Sequence, residues 1–169
     1  MLIDAFAKIA ADDPELHLVM AGPDQQQWSV ELQQIAAKAD IGSRIHWPGM
    51  VTGEAKWGAF YGAEAFILPS HQENFGIAVA EAMACGKPVL LSDKVNIAEE
   101  IAADGAGLME LDTPQGTLEL LQRWIATSPY DRQQMGERAL ETFHRRYDLQ
   151  QTARAIIQLF EAAIAANIH

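Results

Sequence analysis

The sequence predicts an α/β fold: a Rossmann-like, doubly wound parallel sheet in a single domain over residues 1–169, with extra C-terminal helices. Short apolar runs alternate with segments of helical periodicity, which is typical of a parallel sheet covered by helices. The central run, residues 65–68, is continuously apolar rather than alternating, as in a strand buried on both faces. From Thr113 onward only helical patterns remain, and the helices at about 114–166 form the predicted C-terminal extension.

The first part of the chain is predicted to hold three helices and two strands in alternation. The helices carry apolar residues at helical spacing, and proline or glycine closes the strands. The third helix places Trp57, Phe60 and Tyr61 at core spacing, and all four tryptophans are predicted to lie in the core. The predicted helices span 2–11, 28–39 and 54–61, and the predicted strands span 16–21 and 44–47.

Residues 65–93 are predicted to form strand, loop, helix and strand. The helix over 76–85 begins near Asn74, a residue suited to capping it, and ends at Gly86, where a left-handed residue commonly stops a helix. Pro88 prevents its continuation and opens the strand over 88–91. Because such units connect right-handed, the loop after Leu68 lies at the carboxyl edge of the sheet, where open α/β folds bind ligands.

The remaining elements are a short helix over 96–102, an edge strand over 107–111 and three further helices. Thr113 followed by Pro114 is a cap with proline at the first helical position. Ser128 and Asp131 form a capping box that opens a helix to about Arg146. Asp148 is predicted to cap the last helix, whose apolar stripe comprises Ala153, Ile156, Ile157, Phe160 and Ile164.

Glu81 decides whether the central unit is structural or functional. Its helix is apolar on nearly every face, and one carboxylate within it is costly unless a cation or a ligand satisfies it. Glu73 lies eight positions earlier, in the loop, and the free N–H groups at the helix start suit a phosphate. Two carboxylates flanking such a helix start suit a sugar nucleotide, with hydroxyl groups for the acids and a diphosphate for the amides.

Composition excludes several classes of function. The formal net charge of −11 disfavours nucleic acid as a partner, because a phosphate backbone requires a basic face. The single cysteine, Cys85, rules out an intrachain disulfide framework and is consistent with a cytoplasmic location. No apolar run approaches the ~20 residues of a membrane span.

Other catalytic arrangements find little support in residue spacing. His71 lies two residues before Glu73, but the other histidines have no ligand-like spacing with it, so no metal site is predicted. A structural or sugar-contacting role for His71 is favoured over general-base catalysis. The chain contains no Walker loop and no G-x-G-x-x-G motif.

One stretch of the chain resembles a known signature. It runs Glu73-Asn-Phe-Gly-Ile-Ala-Val-Ala-Glu81 and continues Ala82-Met-Ala-Cys-Gly86-Lys-Pro88-Val89, after a preceding Leu68-Pro-Ser70. This is similar to the E-x7-E motif of retaining glycosyltransferases of the GT-B fold, in the large group 1 family. The resemblance covers most of the chain and implies the C-terminal, donor-binding domain of such an enzyme.

The resemblance implies a role for each matching position. Glu73, the residue with the catalytic role, would hold hydroxyl groups of the donor sugar, and Glu81 would hold the ribose hydroxyls. The backbone amides of Asn74, Phe75, Gly76 and Ile77 would approach the sugar and the diphosphate. Met50 and Val51 would bring backbone to the nucleobase, or merely pack on Trp47, and Lys56 would lie near the phosphates or in solvent.

The resemblance also implies how the intact enzyme works. It would move a sugar from a nucleotide-diphosphate sugar to an acceptor with retention and without an obligatory metal. Protein amides and cations would then stabilise the departing diphosphate. Residues 94–96 depart from the family, having Lys94-Val-Asn96 instead of a glycine pair.

Two parts of the resembled family have no counterpart in the sequence. These are the N-terminal GT-B domain and the first strand of the donor domain, which in the family leads into an arginine and a lysine that bind the donor diphosphate. This chain alone is therefore expected to be inactive. In the strand order 3-2-1-4-5-6 the absent strand is central. The strands near Leu16 and Ala65 are therefore predicted to pair directly, or to accept a strand from a partner chain. A homodimer through the incomplete sheet or the exposed C-terminal helix is a further expectation.

Two other functions stay open. One is a catalytically silent Rossmann-type binding module, in which Glu73 and Glu81 only form ion pairs. The other is a sugar-nucleotide epimerase of the same architecture. The base, the sugar and the acceptor cannot be deduced from the sequence.

Overall fold

The structure, a computed structural model, describes residues 1–24, 27–148 and 157. The elements follow the predicted order with small shifts at their ends. The last predicted helix lies outside the described residues except for Ile157, which is helical and exposed. The strands are β1 (Leu18–Ala21), β2 (Ile45–Gly49), β3 (Phe66–Leu68), β4 (Val89–Ser92) and β5 (Gly107–Glu110). The helices are α1 (Leu2–Ala10), α2 (Trp28–Lys38), α3 (Gly53–Gly62), α4 (Ile77–Ala84), α5 (Ala98–Ala103), α6 (Pro114–Ala126) and α7 (Pro129–Arg146).

The strands form two parallel sheets rather than one. β1 pairs with β2, and β3, β4 and β5 form a second sheet in that order. β1 and β3 do not pair, so the prediction that these two strands close the gap directly is wrong. Residues 2–10 form a helix, so they do not supply the missing first strand. Filling of the gap by a partner chain stays a prediction.

Helix α6 packs against both halves of the divided sheet. Leu118 and Leu121 belong to a buried cluster with α1 and the β1–β2 sheet. Leu120 and Trp124 pack instead with Leu90 of β4. The start of α6 is set as predicted, because the Thr113 hydroxyl accepts a hydrogen bond from the Gly116 N–H at 2.9 Å. Helix α6 thus links the two half-sheets, together with Ile67 of β3, which packs against the first cluster.

The prediction that the aromatic residues lie in the core is wrong for Trp28, Trp57 and Tyr61, whereas Trp47 is partly buried against the core. Trp124 is buried, but Trp28 and Tyr61 are more than three-fifths exposed, and α3 contains no buried residue. Of the three aromatic residues on α3, Phe60 packs inward, with its ring edge-on to Phe66. Helix α3 connects the two half-sheets, and the sheet surface against which such a crossover helix packs is incomplete at the gap.

An ion pair between α5 and α7 gives a testable pH dependence. The guanidinium of Arg146 donates to both carboxylate oxygens of Asp104, and Arg145 lies 2.6 Å from Oδ2. The Arg146 hydrogen bond, assisted by Arg145, holds the pKa of Asp104 below its ordinary value of 3.8. A carboxyl group whose pKa is lowered by folding stabilises the protein above its unfolded pKa, and that stability is lost as the pH falls through the folded pKa.

We therefore expect Asp104→Asn to lower the free energy of unfolding at neutral pH and to make it less sensitive to acid. Urea unfolding of both proteins at about pH 7, 5 and 3 measures this difference, which should shrink steadily below pH 4. Glu99→Gln, at an exposed position on the same helix, is the control. Equal acid sensitivity of the wild type and the Asp104 variant would contradict the assignment.

Candidate functional site

The loop after β3 is fixed across the end of β4 by backbone hydrogen bonds. The Glu73 N–H donates to the Lys94 carbonyl at 3.1 Å, and the Asn96 N–H donates to the Glu73 carbonyl at 3.0 Å. The Ser92 hydroxyl, at the end of β4, donates to the Ser70 carbonyl. These hydrogen bonds hold the loop that carries the predicted site residues at the carboxyl edge of the sheet.

Gly76 makes the turn into α4 possible. Its φ is +68°, in the left-handed region that glycine tolerates best. A Cβ at this position would lie 2.9 Å from Cγ2 of Val79 and 3.3 Å from Cγ of Glu73. Gly76 is buried, and any side chain there would push Glu73 away from the helix.

The side chain of Glu73 closes the start of α4. Its Oε1 accepts hydrogen bonds from the N–H groups of Phe75 at 3.3 Å and Gly76 at 3.0 Å. The prediction that Asn74 caps this helix is wrong, since the cap residue is Gly76 and no side chain of a cap residue bonds the helix start. The two amides lie two and three positions after Glu73, within reach of its side chain. Two of the four amides predicted to face a ligand are thus held by Glu73.

Glu81 forms an ion pair with Lys56. The Lys56 Nζ lies 2.6 Å from Oε1 of Glu81, and the two side chains are 30% and 25% exposed. The ammonium group also lies 4.4 Å from the ring centroid of Trp57, within cation–π range. Lys56, predicted to lie near phosphates or in solvent, contacts the second glutamate of the motif instead. The pair lies near the surface, and Lys56 contacts one of the two carboxylate oxygens of Glu81.

The apolar residues predicted to contribute to the site are exposed or only partly buried. Met50, which follows β2, is 64% exposed, and Ile77 at the start of α4 is 69% exposed. Val51 is half-buried. Phe75 is half exposed, and its ring lies edge-on to that of Tyr147 at 5.7 Å between centroids. Burial and a hydrogen bond to Glu100 raise the pKa of Tyr147, so this phenol is neutral at pH 7.

Asp93 and Asp112 are functional-site candidates that the sequence analysis missed. Each follows the end of a strand, which was the available signal. The Asp112 N–H donates to Oδ1 of Asp93 at 2.7 Å, and Nδ1 of His71 lies 2.8 Å from Oδ2 of Asp112. The hydrogen bond from Lys94, followed by that from the Asp112 backbone, lowers the pKa of Asp93. His71 is thereby placed over the ends of β4 and β5.

Two cavities of about 520 and 430 Å³ in the described residues lie away from the predicted site. They are lined by residues such as Arg132 and Lys8, and neither is lined by Glu73, Gly76 or Glu81. No group of three or more histidine, cysteine or acidic residues in the described ranges could hold a metal ion. No helix within those ranges has the length and apolar character to cross a bilayer.

The sequence was compared with known protein families. Residues 1–142 match the family described as "Glycosyl transferases group 1". The chain belongs to the group 1 glycosyltransferase family. This confirms the family that the Glu73–Glu81 motif indicated. A phosphatidyl-myo-inositol mannosyltransferase of Mycolicibacterium smegmatis is 30% identical over 173 residues, covering 99% of this chain and 42% of that protein.

Solved structures confirm the predicted Rossmann-like α/β fold, which matches one half of a GT-B protein. Sucrose-phosphate synthase from Thermosynechococcus elongatus matches 98% of the chain with a TM-score of 0.77 at 23% identity. Anabaena Alr3699/HepE, in complex with UDP and glucose, matches 95% with a TM-score of 0.79 at 21% identity. The chain covers 43% and 44% of those two chains, so it spans less than half of the length of these relatives.

Proposed function

We propose that this chain is the donor-binding domain of a retaining glycosyltransferase that moves a sugar from a nucleotide-diphosphate sugar to an acceptor. The observation that carries the proposal is the pair of motif glutamates at the start of α4. Glu73 lies at the amide end of the helix, and Glu81 lies two turns further along with its carboxylate near the surface. A similar fold in Anabaena Alr3699/HepE was solved in complex with UDP and glucose, which supports the same class of ligand here.

Glu81 is assigned to the ribose of the nucleotide. Lys56 holds Oε1, and the other carboxylate oxygen can accept hydrogen bonds from a diol. The nearby ammonium lowers the cost of keeping this carboxylate charged in a partly buried place. Lys56 would then orient Glu81 and also place a cation near the phosphates. Met50 and Val51, which precede α3 and Lys56, are assigned to the nucleobase.

Glu73 is assigned to hydroxyl groups of the donor sugar and is the proposed catalytic contact. Its Oε1 engages the amides of Phe75 and Gly76, so those amides reach a diphosphate only after Glu73 releases them or shares them. An exchange of this kind costs little, because each lost hydrogen bond is replaced by a charge-assisted one. The amides and Lys56 would then stabilise the departing diphosphate without a metal ion.

Transfer is proposed for the whole enzyme rather than for this chain alone. The relatives are more than twice as long as the matched region, and the acceptor would bind to their other half. A cleft between the two parts explains why the glutamates here lie at an open surface. We therefore expect this chain to bind nucleotide and to lack transfer activity by itself.

One observation favours a second candidate, a catalytically silent binding module. The Lys56–Glu81 ion pair satisfies Glu81 without any ligand. In that case the pair would be structural, and no nucleotide would bind.

Calorimetric titration with UDP, GDP and ADP separates the two candidates. We expect one of these diphosphates to bind, and the matching nucleotide sugar to bind more tightly because Glu73 gains contacts to its sugar. Gly76→Ala, which strains the turn and displaces Glu73, should abolish that gain. Gly58→Ala, which meets no atom within 4 Å, is the control. Absence of binding by all three diphosphates at millimolar concentration would favour the silent module.

A further inference from the structure

His71 and Asp112 form a pair at the carboxyl edge of the sheet that the proposed function does not use. Nδ1 of His71 lies 2.8 Å from Oδ2 of Asp112, although the residues are 41 positions apart. The side chain of His71 is 76% exposed, whereas that of Asp112 is 11% exposed. A largely buried carboxylate therefore holds one nitrogen of a ring that is mostly exposed.

The pair is not needed to hold the loop in place. Backbone hydrogen bonds from Glu73 and Asn96, together with the Ser92 hydroxyl, already attach the loop to the end of β4. The exposed imidazole also adds little buried area. What Asp112 controls is the orientation of the ring, since its own backbone N–H is fixed on Asp93 at 2.7 Å.

The buried carboxylate also determines where the proton on a neutral His71 resides. Oδ1 of Asp112 is the buried side-chain atom without a hydrogen-bond partner among the described residues. An ionised carboxylate only accepts hydrogen bonds, so Nδ1 of His71 must donate to it. Nε2 of the neutral ring is then a free acceptor, held in a defined direction.

We propose that Nε2 of His71 accepts a hydrogen bond from a hydroxyl group of the transferred sugar, and that Asp112 is the positioning residue for this contact. The inference rests on the proposed function. It adds a second sugar contact on the loop that carries Glu73, two residues before it. An acceptor nitrogen beside a carboxylate selects a ligand rich in hydroxyl donors, as a sugar is.

The test compares each nucleotide sugar with its own diphosphate. Wild type and His71→Ala are titrated with UDP-glucose and UDP, with GDP-mannose and GDP, and with ADP-glucose and ADP. We expect His71→Ala to weaken binding of the nucleotide sugar by about tenfold and to leave the affinity for the diphosphate within about twofold. Equal loss for both ligands, or no loss for either, would overturn the proposal.

Asp112→Asn tests the positioning role. The asparagine amide has two orientations, and an NH₂ group at the place of Oδ1 would be buried without an acceptor. The NH₂ group therefore takes the place of Oδ2 and donates to Nδ1 of His71. The ring proton then moves to Nε2. We expect the same selective loss as in His71→Ala, and nitrogen-15 spectra of the imidazole that report protonated Nδ1 in the wild type and protonated Nε2 in the variant. An unchanged tautomer together with unchanged sugar affinity would overturn the role of Asp112.

His144→Ala is the matched control, because His144 also contacts an aspartate, Asp148, at 3.5 Å but lies at the end of α7. It should leave both affinities unchanged. The two proposals fail separately: if the diphosphate binds but His71→Ala has no selective effect, only the sugar contact is wrong. If neither ligand of any of the three pairs binds to the wild type, the donor-binding function fails as well.

Discussion

We expect Glu81→Ala to lower the affinity for the nucleoside diphosphate by about tenfold to a hundredfold, the largest functional effect of any single substitution at the site. A carboxylate accepting hydrogen bonds from a ribose diol contributes about 1.5–3 kcal/mol per charge-assisted bond, and each 1.4 kcal/mol is a factor of ten in Kd. The substitution also releases Lys56, which is 2.6 Å from Glu81 and has no other ion pair in the described residues. Calorimetric titration with the diphosphate that binds the wild type measures the loss.

A double-mutant cycle separates the ligand contact from the ion pair. Lys56→Met keeps most of the apolar stem, removes the charge and leaves Glu81 in place. We expect it to weaken binding less than Glu81→Ala, and the double variant to bind more weakly than Glu81→Ala, because Lys56 both orients Glu81 and faces the phosphates. Glu119→Ala, on α6 and bonded to Gln115, is the control for loss of a surface carboxylate. Wild-type affinity in Glu81→Ala would show that Glu81 only serves the ion pair.

The largest expected effect on stability is that of Gly107→Ala. Gly107 is buried at the start of β5 and pairs with Val89 of β4. A Cβ would lie 2.1 Å from the Val89 carbonyl oxygen and 2.9 Å from its Cγ2. A backbone oxygen within a sheet cannot move aside as a flexible side chain does, so the two strands must separate. We expect the free energy of unfolding to fall by at least about 3 kcal/mol, measured by urea unfolding.

Gly58→Ala is the matched control for this prediction. Gly58 lies in α3, and a Cβ there meets no atom within 4 Å. Alanine reduces the entropy of the unfolded chain and favours the helix, so this variant should gain about 0.5–1 kcal/mol. The same chemical change is thus expected to act in opposite directions at the two positions. A Gly107→Ala protein with the stability of the wild type would mean that β4 and β5 are further apart than described.

Local patterns in the sequence were sufficient to predict the elements. The caps at Thr113 and Ser128 and the left-handed Gly86 follow from the residue and its immediate neighbours, and all three lie as predicted. The family followed from a motif contained within one loop and one helix. These features depend on interactions between residues a few positions apart, which can be predicted from the sequence alone.

Long-range contacts were not accessible in the same way. The Lys56–Glu81 and His71–Asp112 pairs join residues 25 and 41 positions apart, and only the tertiary fold shows which acid meets which base. The exposure of Trp28 and Tyr61 was also missed, because helical spacing predicts a face but not whether another element covers it. Glu73 rather than Asn74 accepts at the helix start, because its side chain reaches forward to the amides of Phe75 and Gly76.

The divided sheet has a mechanical consequence. β1 and β3 share no backbone hydrogen bonds, so the two half-sheets are joined by side-chain packing on α6. Leu118 and Leu121 pack in one half, and Leu120 and Trp124 pack in the other. Side-chain packing resists rotation of one half-sheet against the other far less than a row of backbone hydrogen bonds does. A nucleotide that touched Met50 after β2 and Glu81 beyond β3 would bridge the two halves and set the angle between them.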